Sequence, residues 1–251
     1  MGAQTPEELQ WISNLAHWIE GGMFGIVALL ALLQAFGYAQ SRGLQYVWPG
    51  LILVAGIFLP VFILLQRGIG GIGTTWNLVI RDPQQREHFA MAVLLLAAGL
   101  AEMLLRTNKT RATIWKFVSP VALAIIGAMF FVHTEYGTPE AVAEAARKHA
   151  YMGLAISLAG VFKGAEVLWR KRFSWLAFPW IAMLLVAALL LITYREPWGA
   201  YRTTEPAARS FALAPGLKFC FSMTGGNNAT NTFGPITGRI PSVVDIVYYN
   251  D

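Results

Sequence analysis

The sequence predicts an all-α integral membrane protein whose six transmembrane helices form three repeated helical hairpins, followed by an extended C-terminal tail. Hydrophobic residues make up 56% of the 251 residues and charged residues only 13%, whereas about a quarter of a soluble domain is charged. The apolar residues also fall into runs long enough to cross a bilayer core of roughly 30 Å. The six predicted spans are about 21–40, 47–66, 88–105, 114–133, 149–169 and 174–194.

Three of the four histidines occupy the same place in three copies of one pattern. His17, His88 and His149 each stand at or just before the start of an apolar run, and a tryptophan and a proline follow about 30 residues later. One titratable, metal-capable side chain at a fixed point in each unit suggests that the three histidines converge. The copies predict hairpins at about 17–66, 88–133 and 149–194.

The chain divides into a six-helix transmembrane domain at 1–198 and a tail at 199–251. The tail is rich in Gly, Asn, Thr and Ser, and no hydrophobic period persists in it. Aromatic residues such as Phe219 and Tyr248 make it too apolar for a solvated linker. We therefore expect the tail to become ordered against protein subunits of a larger membrane complex, the alternative being a floppy tail.

The charge distribution predicts the orientation in a cell (inner or plasma) membrane. The short loops after the odd-numbered spans carry basic residues and no acidic ones, so by the positive-inside rule they face the cytoplasm. Both termini and the 67–87 and 134–148 loops then face outward. All four histidines are thereby predicted at one depth, near the outer boundary. The basic loop residues are Arg42, Arg106, Lys109, Arg111, Arg170, Lys171 and Arg172.

The histidines at this outer boundary are candidate metal ligands. Two methionines follow three residues after a repeat histidine, on the same helical face. Imidazole and thioether groups together suit copper, particularly Cu(I). The carboxylates of Glu20, Glu87 and Glu135 could orient the ring nitrogens. The candidate ligands are His17, His88, His133, His149, Met91 and Met152.

A haem b group held by His88 and His149 is an alternative, because two histidines on facing spans can ligate iron from both sides. Each repeat histidine is followed four residues later by Gly21, Ala92 or Gly153. Such small residues leave space for a flat ligand or for a closely packed neighbouring helix. A third alternative is a structural scaffold subunit in which the histidines bind nothing.

Polar residues near the predicted inner face are interpreted as structural. Glu102 and Glu166 each precede Arg106 or Arg170 by four residues, the favourable order for a helical ion pair. Lys163 is expected to extend its ammonium group to the cytoplasmic surface.

No catalytic motif and no nucleic-acid-binding patch is found in the sequence, which gives no support to an enzyme. The single Cys220 excludes an internal disulfide and a cysteine-based metal site.

The pairs His88/Met91 and His149/Met152, together with His133, resemble the copper-resistance D-type inner-membrane proteins over spans 3 to 6. The chain is similarly close to small membrane b-type cytochromes. The first resemblance implies copper binding or handling. Together with the tail, it leads us to expect an accessory subunit of a larger membrane complex, which contacts its partners through the tail. The second implies haem b and electron exchange with quinol.

Overall fold

Six helices of the protein close into a ring, as seen in a computed structural model that describes residues 5–38, 41–66, 72–109, 112–202, 209–214 and 217–221. The helices are α1 (Pro6–Ala35), α2 (Arg42–Gln66), α3 (Ile72–Arg81), α4 (Pro83–Arg106), α5 (Trp115–Phe131), α6 (Pro139–Trp169) and α7 (Ala177–Ile192). A short 3-10 turn, Ser174–Leu176, leads into α7. The ring runs α1–α2–α4–α5–α6–α7 and back to α1, while α3 packs beside α4.

Five helical segments are long and apolar enough to cross a membrane: Pro6–Ala35, Gly43–Phe62, Pro83–Arg106, Pro139–Trp169 and Ser174–Ile192. This confirms a helical protein with membrane-spanning potential. The remaining predicted span, 114–133, corresponds to α5, which is apolar but has 17 residues. At a rise of about 1.5 Å per residue it measures about 25 Å, shorter than the bilayer core.

The helices approach closely where glycines face a neighbouring backbone. A Cβ atom on Gly153 of α6 would lie 2.6 Å from the carbonyl oxygen of Gly127 in α5. On the other side of the ring, a Cβ atom on Gly21 of α1 would lie 2.8 Å from the backbone nitrogen of Ile192. At Gly21 and Gly153, two of the small residues that follow a repeat histidine, a closely packed neighbouring helix therefore fills the space beside the backbone.

One end of the ring, which we call the histidine end, contains the N-termini of α1, α4 and α6. Thr5 and Glu8 form a capping box on α1, and the Asp82 carboxylate accepts backbone N–H groups of α4. Thr138 caps α6, and Pro139 follows it as the first residue of the helix. The helix that it caps runs without a break to Trp169, so His149 lies within a long helix instead of at its start.

The segment that follows α7 folds across the histidine end. The N–H of Thr138 donates to the carbonyl of Gly199 at 3.1 Å, and the N–H of Tyr201 donates to the carbonyl of Tyr136 at 2.8 Å. Gly137 (φ +151°) and Gly199 (φ +100°) adopt backbone conformations that L side chains rarely take. We call residues 194–202 the strap.

The other end of the ring, the basic end, contains the C-termini of α1, α4 and α6. Glu166 pairs with Arg170 as predicted, at 3.5 Å. Glu102 pairs instead with Lys163 at 3.2 Å, and Lys163 is only 7% exposed. The expectation that Lys163 reaches the surface was wrong, because α4 and α6 bring opposite charges together inside the ring, where each neutralises the other.

Two short strands lie in the predicted tail, β1 (Arg209–Ala214) and β2 (Leu217–Phe221), and they pair antiparallel. The sequence pattern had indicated no regular element there. The rest of the tail beyond the strap, residues 203–208, 215–216 and 222–251, lies outside the described residues, and so does its predicted contact with partner subunits.

Candidate metal centre

The four histidines meet at the histidine end of the ring. Ring centroids are 4.8 Å apart for His88 and His133, 5.0 Å for His133 and His149, and 5.6 Å for His149 and His17. They come from α4, the segment after α5, α6 and α1 respectively. The fold thus joins in one contiguous group the four side chains that the sequence predicted at a common depth and as ligands of one site.

A cavity of about 50 Å³ lies among these rings. A single buried water needs about 10–15 Å³ by a comparable measure, so the space suits a few waters or one ion. Met91 lines the cavity. Met152 is buried in the apolar core and is not among the residues described as lining the cavity. The two predicted methionine ligands therefore differ in their access to the histidines.

An oxygen acceptor lies within 2.8 Å of Nδ1 in three of the rings. Nδ1 of His149 lies 2.6 Å from Oε1 of Glu135, and Nδ1 of His133 lies 2.8 Å from Oε2 of Glu87. Nδ1 of His17 is hydrogen-bonded to the carbonyl oxygen of Ser13 at 2.8 Å. Both carboxylates were predicted to orient ring nitrogens. An acceptor on one ring nitrogen fixes the tautomer and increases the basicity of the other nitrogen.

The second ring nitrogens of His17 and His149 face each other, with their Nε2 atoms 3.4 Å apart. A carbonyl oxygen only accepts, so Nδ1 of His17 carries the proton. The carboxylate beside Nδ1 of His149 favours the proton on that atom as well. In the neutral rings both Nε2 atoms then present lone pairs toward each other, an arrangement that a proton or a metal ion between them stabilises.

The buried carboxylate of Glu135 adds an oxygen to the group. His133, Glu135 and His149 each offer a ligand atom, and these atoms lie within 4.8 Å of one another. The three residues are 3%, 3% and 1% exposed, which removes most competing water. Two imidazoles and one carboxylate are a common ligand set for a divalent transition metal. The structure thus contains a His/Glu triad that could hold an ion.

The third predicted carboxylate, Glu20, has a different setting. Glu20 lines the cavity, and its Oε1 is buried without a hydrogen-bond partner among the described residues. It therefore brings a second carboxylate to the cavity wall but orients no described ring.

Glu87 also fixes the loop that carries His133. Its two carboxylate oxygens accept the backbone N–H of Thr134 at 2.6 Å and the Thr134 hydroxyl at 2.7 Å. Next in the loop, the Tyr136 hydroxyl donates to the Asp82 carboxylate at 3.0 Å. The start of α4 thus positions His133 and Glu135 against α6.

The strap supplies functional neighbours that the sequence reasoning missed. Tyr194 stacks on His17 with ring centroids 4.2 Å apart. The Glu196 carboxylate accepts the hydroxyls of Ser13 at 2.6 Å, Tyr194 at 3.1 Å and Tyr201 at 3.4 Å. The available signal was their position: Tyr194 ends the last predicted apolar run and Glu196 follows it, on the predicted histidine side.

Burial raises the pKa of three side chains in the strap. Burial and then the nearby Glu135 raise the pKa of Glu196 above its usual range. Burial, followed by the Glu196 charge, raises the pKa of Tyr194 and of Tyr201 well above the usual value. The two phenols therefore remain hydrogen-bond donors at neutral pH.

Fold and site together define a helical protein with several candidate membrane spans and a buried histidine–carboxylate cluster at one end of a helix ring. Comparisons with protein-family models, with curated proteins and with solved structures found no match for this chain. A function for this chain must therefore be inferred from the cluster itself.

Proposed function

We propose that this protein binds one transition-metal ion, copper, at the histidine end of its helix ring, and that its function is to bind and hand on that ion. The observation that carries the proposal is the 3.4 Å separation of the Nε2 atoms of His17 and His149, with each Nδ1 already beside an acceptor. Two metal–nitrogen bonds of about 2.0–2.1 Å at a tetrahedral angle hold their nitrogens about 3.4 Å apart.

Copper is preferred because of the ligand types around the cavity. Imidazole binds copper, zinc and iron, whereas a thioether such as that of Met91 selects Cu(I). His88 and His133 line the same cavity and extend the donor set. Glu87 and Glu135 serve as the outer acceptors that copper- or zinc-binding histidines require.

The cavity volume favours a single ion over a porphyrin. Sites for drug-sized molecules measure about 300–1,000 Å³, far above the cavity of about 50 Å³. Two histidines on opposite sides of a haem iron also need nitrogens about 4 Å apart, twice an ordinary metal–nitrogen bond of about 2 Å.

The proposed arrangement in the membrane is a six-span bundle in which α1–α2, α4–α5 and α6–α7 are the three repeated hairpins. Each of these pairs is in contact in the ring. The basic loops would face the cytoplasm, which puts both termini and the cluster on the outer side. The strap and the tail would then meet partner subunits outside the membrane.

Metal analysis of the detergent-purified protein tests the proposal. We expect about one copper per chain, a Cu(I) affinity that survives competition with a chromophoric chelator, and an affinity about 10–100-fold lower in Glu135→Gln, which weakens the support of His149. The matched control is Glu144→Gln, which removes an exposed carboxylate from α6 without touching the cluster. A Soret band with stoichiometric iron would overturn the proposal in favour of haem b. Binding of zinc but not of Cu(I) would overturn the choice of copper.

A further inference from the structure

A second cavity, of about 490 Å³, opens at the basic end of the ring, opposite the histidines. It is lined by the ends of α1, α4 and α6 and by the beginnings of α2, α5 and α7. Trp48 and Trp180 form part of its wall. Its size is that of a site for a small molecule or a headgroup, not for a bare ion.

The lining of this basic-end cavity carries a surplus of positive charge. Its two acidic side chains are both paired, Glu102 with Lys163 at 3.2 Å and Glu166 with Arg170 at 3.5 Å. The surplus of three positive charges therefore belongs to the remaining cations. The charged lining residues are Glu102, Arg106, Lys116, Lys163, Glu166, Arg170 and Lys171.

Two buried donors at this cavity lack an acceptor among the described residues. Trp180 is 5% exposed, and its indole Nε1 has no hydrogen-bond partner there. The same is true of the buried Nε of Arg106, whose guanidinium lies 4.8 Å from the ring centroid of Trp48. Buried N–H groups without acceptors are uncommon in native proteins, so these donors indicate an acceptor that enters the cavity from outside the chain.

We propose that the basic-end cavity binds a phosphate-bearing anion. Arginine forks and lysine ammonium groups are the side chains that hold phosphate oxygens, and an indole N–H adds a directed donor. The group can come from an anionic phospholipid, whose headgroup lies at the ends of membrane-spanning helices, or from a soluble phosphomonoester. This proposal does not depend on the metal at the histidine end.

The experiment compares two double variants that each remove two positive charges at the same end. Lys116→Gln/Lys171→Gln removes exposed cations that line the cavity, whereas Lys109→Gln/Arg172→Gln removes exposed cations that do not line it. Native mass spectrometry then measures binding of phosphatidylglycerol, phosphatidylcholine and glycerol phosphate to the intact protein. Thermal unfolding of each variant verifies that it is folded.

We expect phosphatidylglycerol to bind in preference to phosphatidylcholine. Removing the cavity cations should weaken that binding by roughly 25-fold, or fivefold for each charge, with less than a twofold change in the control. Displacement of the lipid by glycerol phosphate would identify a soluble ligand, and its failure to compete would identify the lipid. Equal losses of binding in the two double variants would overturn the proposal. So would binding of phosphatidylglycerol and of glycerol phosphate that is no stronger than binding of phosphatidylcholine.

Discussion

The Nε2 atoms of His17 and His149 lie 3.4 Å apart although 132 residues separate the two histidines in the chain. They face each other because α1 and α6 both pack against α7 and run in the same direction. The Nδ1 atom of His17 lies beside the Ser13 carbonyl oxygen and that of His149 beside the Glu135 carboxylate, so each ring already has an acceptor next to its Nδ1. The pair is thus organised by two separate supports, one from a backbone and one from a carboxylate.

The first prediction concerns this pair as a metal-binding unit. Removal of either ring by His17→Ala or His149→Ala should lower the copper affinity by more than about 100-fold, the upper range for loss of an outer acceptor. The double variant should be little worse than either single one, because groups that act as a unit are not additive. Competition titrations with a Cu(I) chelator measure all three. Additive losses would show two independent weak sites.

The second prediction separates orientation from ligation. Glu87→Gln keeps an acceptor oxygen near His133 and Thr134 but removes the negative charge, so the affinity should fall by about 10–100-fold while the stoichiometry stays the same. Glu7→Gln, an exposed residue of α1 whose partner is Arg202, is the control. Loss of the ion altogether in Glu87→Gln would instead make Glu87 a ligand.

The third prediction uses two glycines of one helix. Gly153→Ala puts a Cβ 2.6 Å from the Gly127 carbonyl oxygen, whereas Gly164→Ala meets only Pro120 Cβ at 3.7 Å. The first should destabilise the protein by about 1–3 kcal/mol through overpacking. The second should stabilise it by up to about 1 kcal/mol, since alanine is the better helix former. Unfolding in detergent, followed by circular dichroism, distinguishes them. Similar effects at both positions would contradict the close α5–α6 contact.

The fourth prediction concerns pH. The pKa of Glu196 is raised in the folded protein above its ordinary value of 4.5, mainly by burial. The folded state therefore binds its proton more tightly, and the stability from this group is complete below pH 4.5 and declines as the pH rises toward the folded pKa. Glu196→Gln should remove that decline. Melting temperatures of the metal-free protein across this range, with Glu140→Gln as the exposed control, measure the difference.

The fifth prediction addresses the buried ion pair at the basic end. Lys163→Met leaves the Glu102 charge buried and should cost about 3–5 kcal/mol, while Lys163→Met/Glu102→Gln should recover much of that loss. Arg172→Met removes an exposed cation that does not line the basic-end cavity and should change stability by less than about 1 kcal/mol. Chemical unfolding of the four proteins checks the set. No recovery in the double variant would mean that Lys163 matters through its packing between Trp48 and Trp180.

The sequence predicted the depth of the histidines but not their neighbours around the ring. Charge asymmetry and repeat spacing were enough to put His17, His88, His133 and His149 at one end. The rotation of each helix is set by its contacts with two others, which a single sequence does not encode locally. For that reason Met91 reaches the cavity and Met152, at the same spacing from its histidine, is buried in the core.

The ion pairs differ in the same way: a pair within one helix could be predicted from the sequence, whereas a pair between two helices could not. The Glu166–Arg170 pair was predictable because both residues lie on one helix, one turn apart. The pairing of Glu102 with Lys163 depended on the approach of α4 to α6 inside the ring, and the local pattern pointed to Arg106 instead. Tyr194 and Glu196 could not be assigned to the site before the strap was seen to fold back over α1.

The backbone bonds that join Tyr136 and Thr138 to Tyr201 and Gly199 couple the C-terminal region mechanically to the loop of His133 and Glu135. A tension applied to the chain beyond Tyr201 would be transmitted to that loop through those bonds, and to the first turn of α1 through the Arg202–Glu7 ion pair at 3.0 Å. The exchange rate of a bound ion would then respond to whatever holds the C-terminal region. A partner could thereby govern how fast the ion leaves without touching a single ligand.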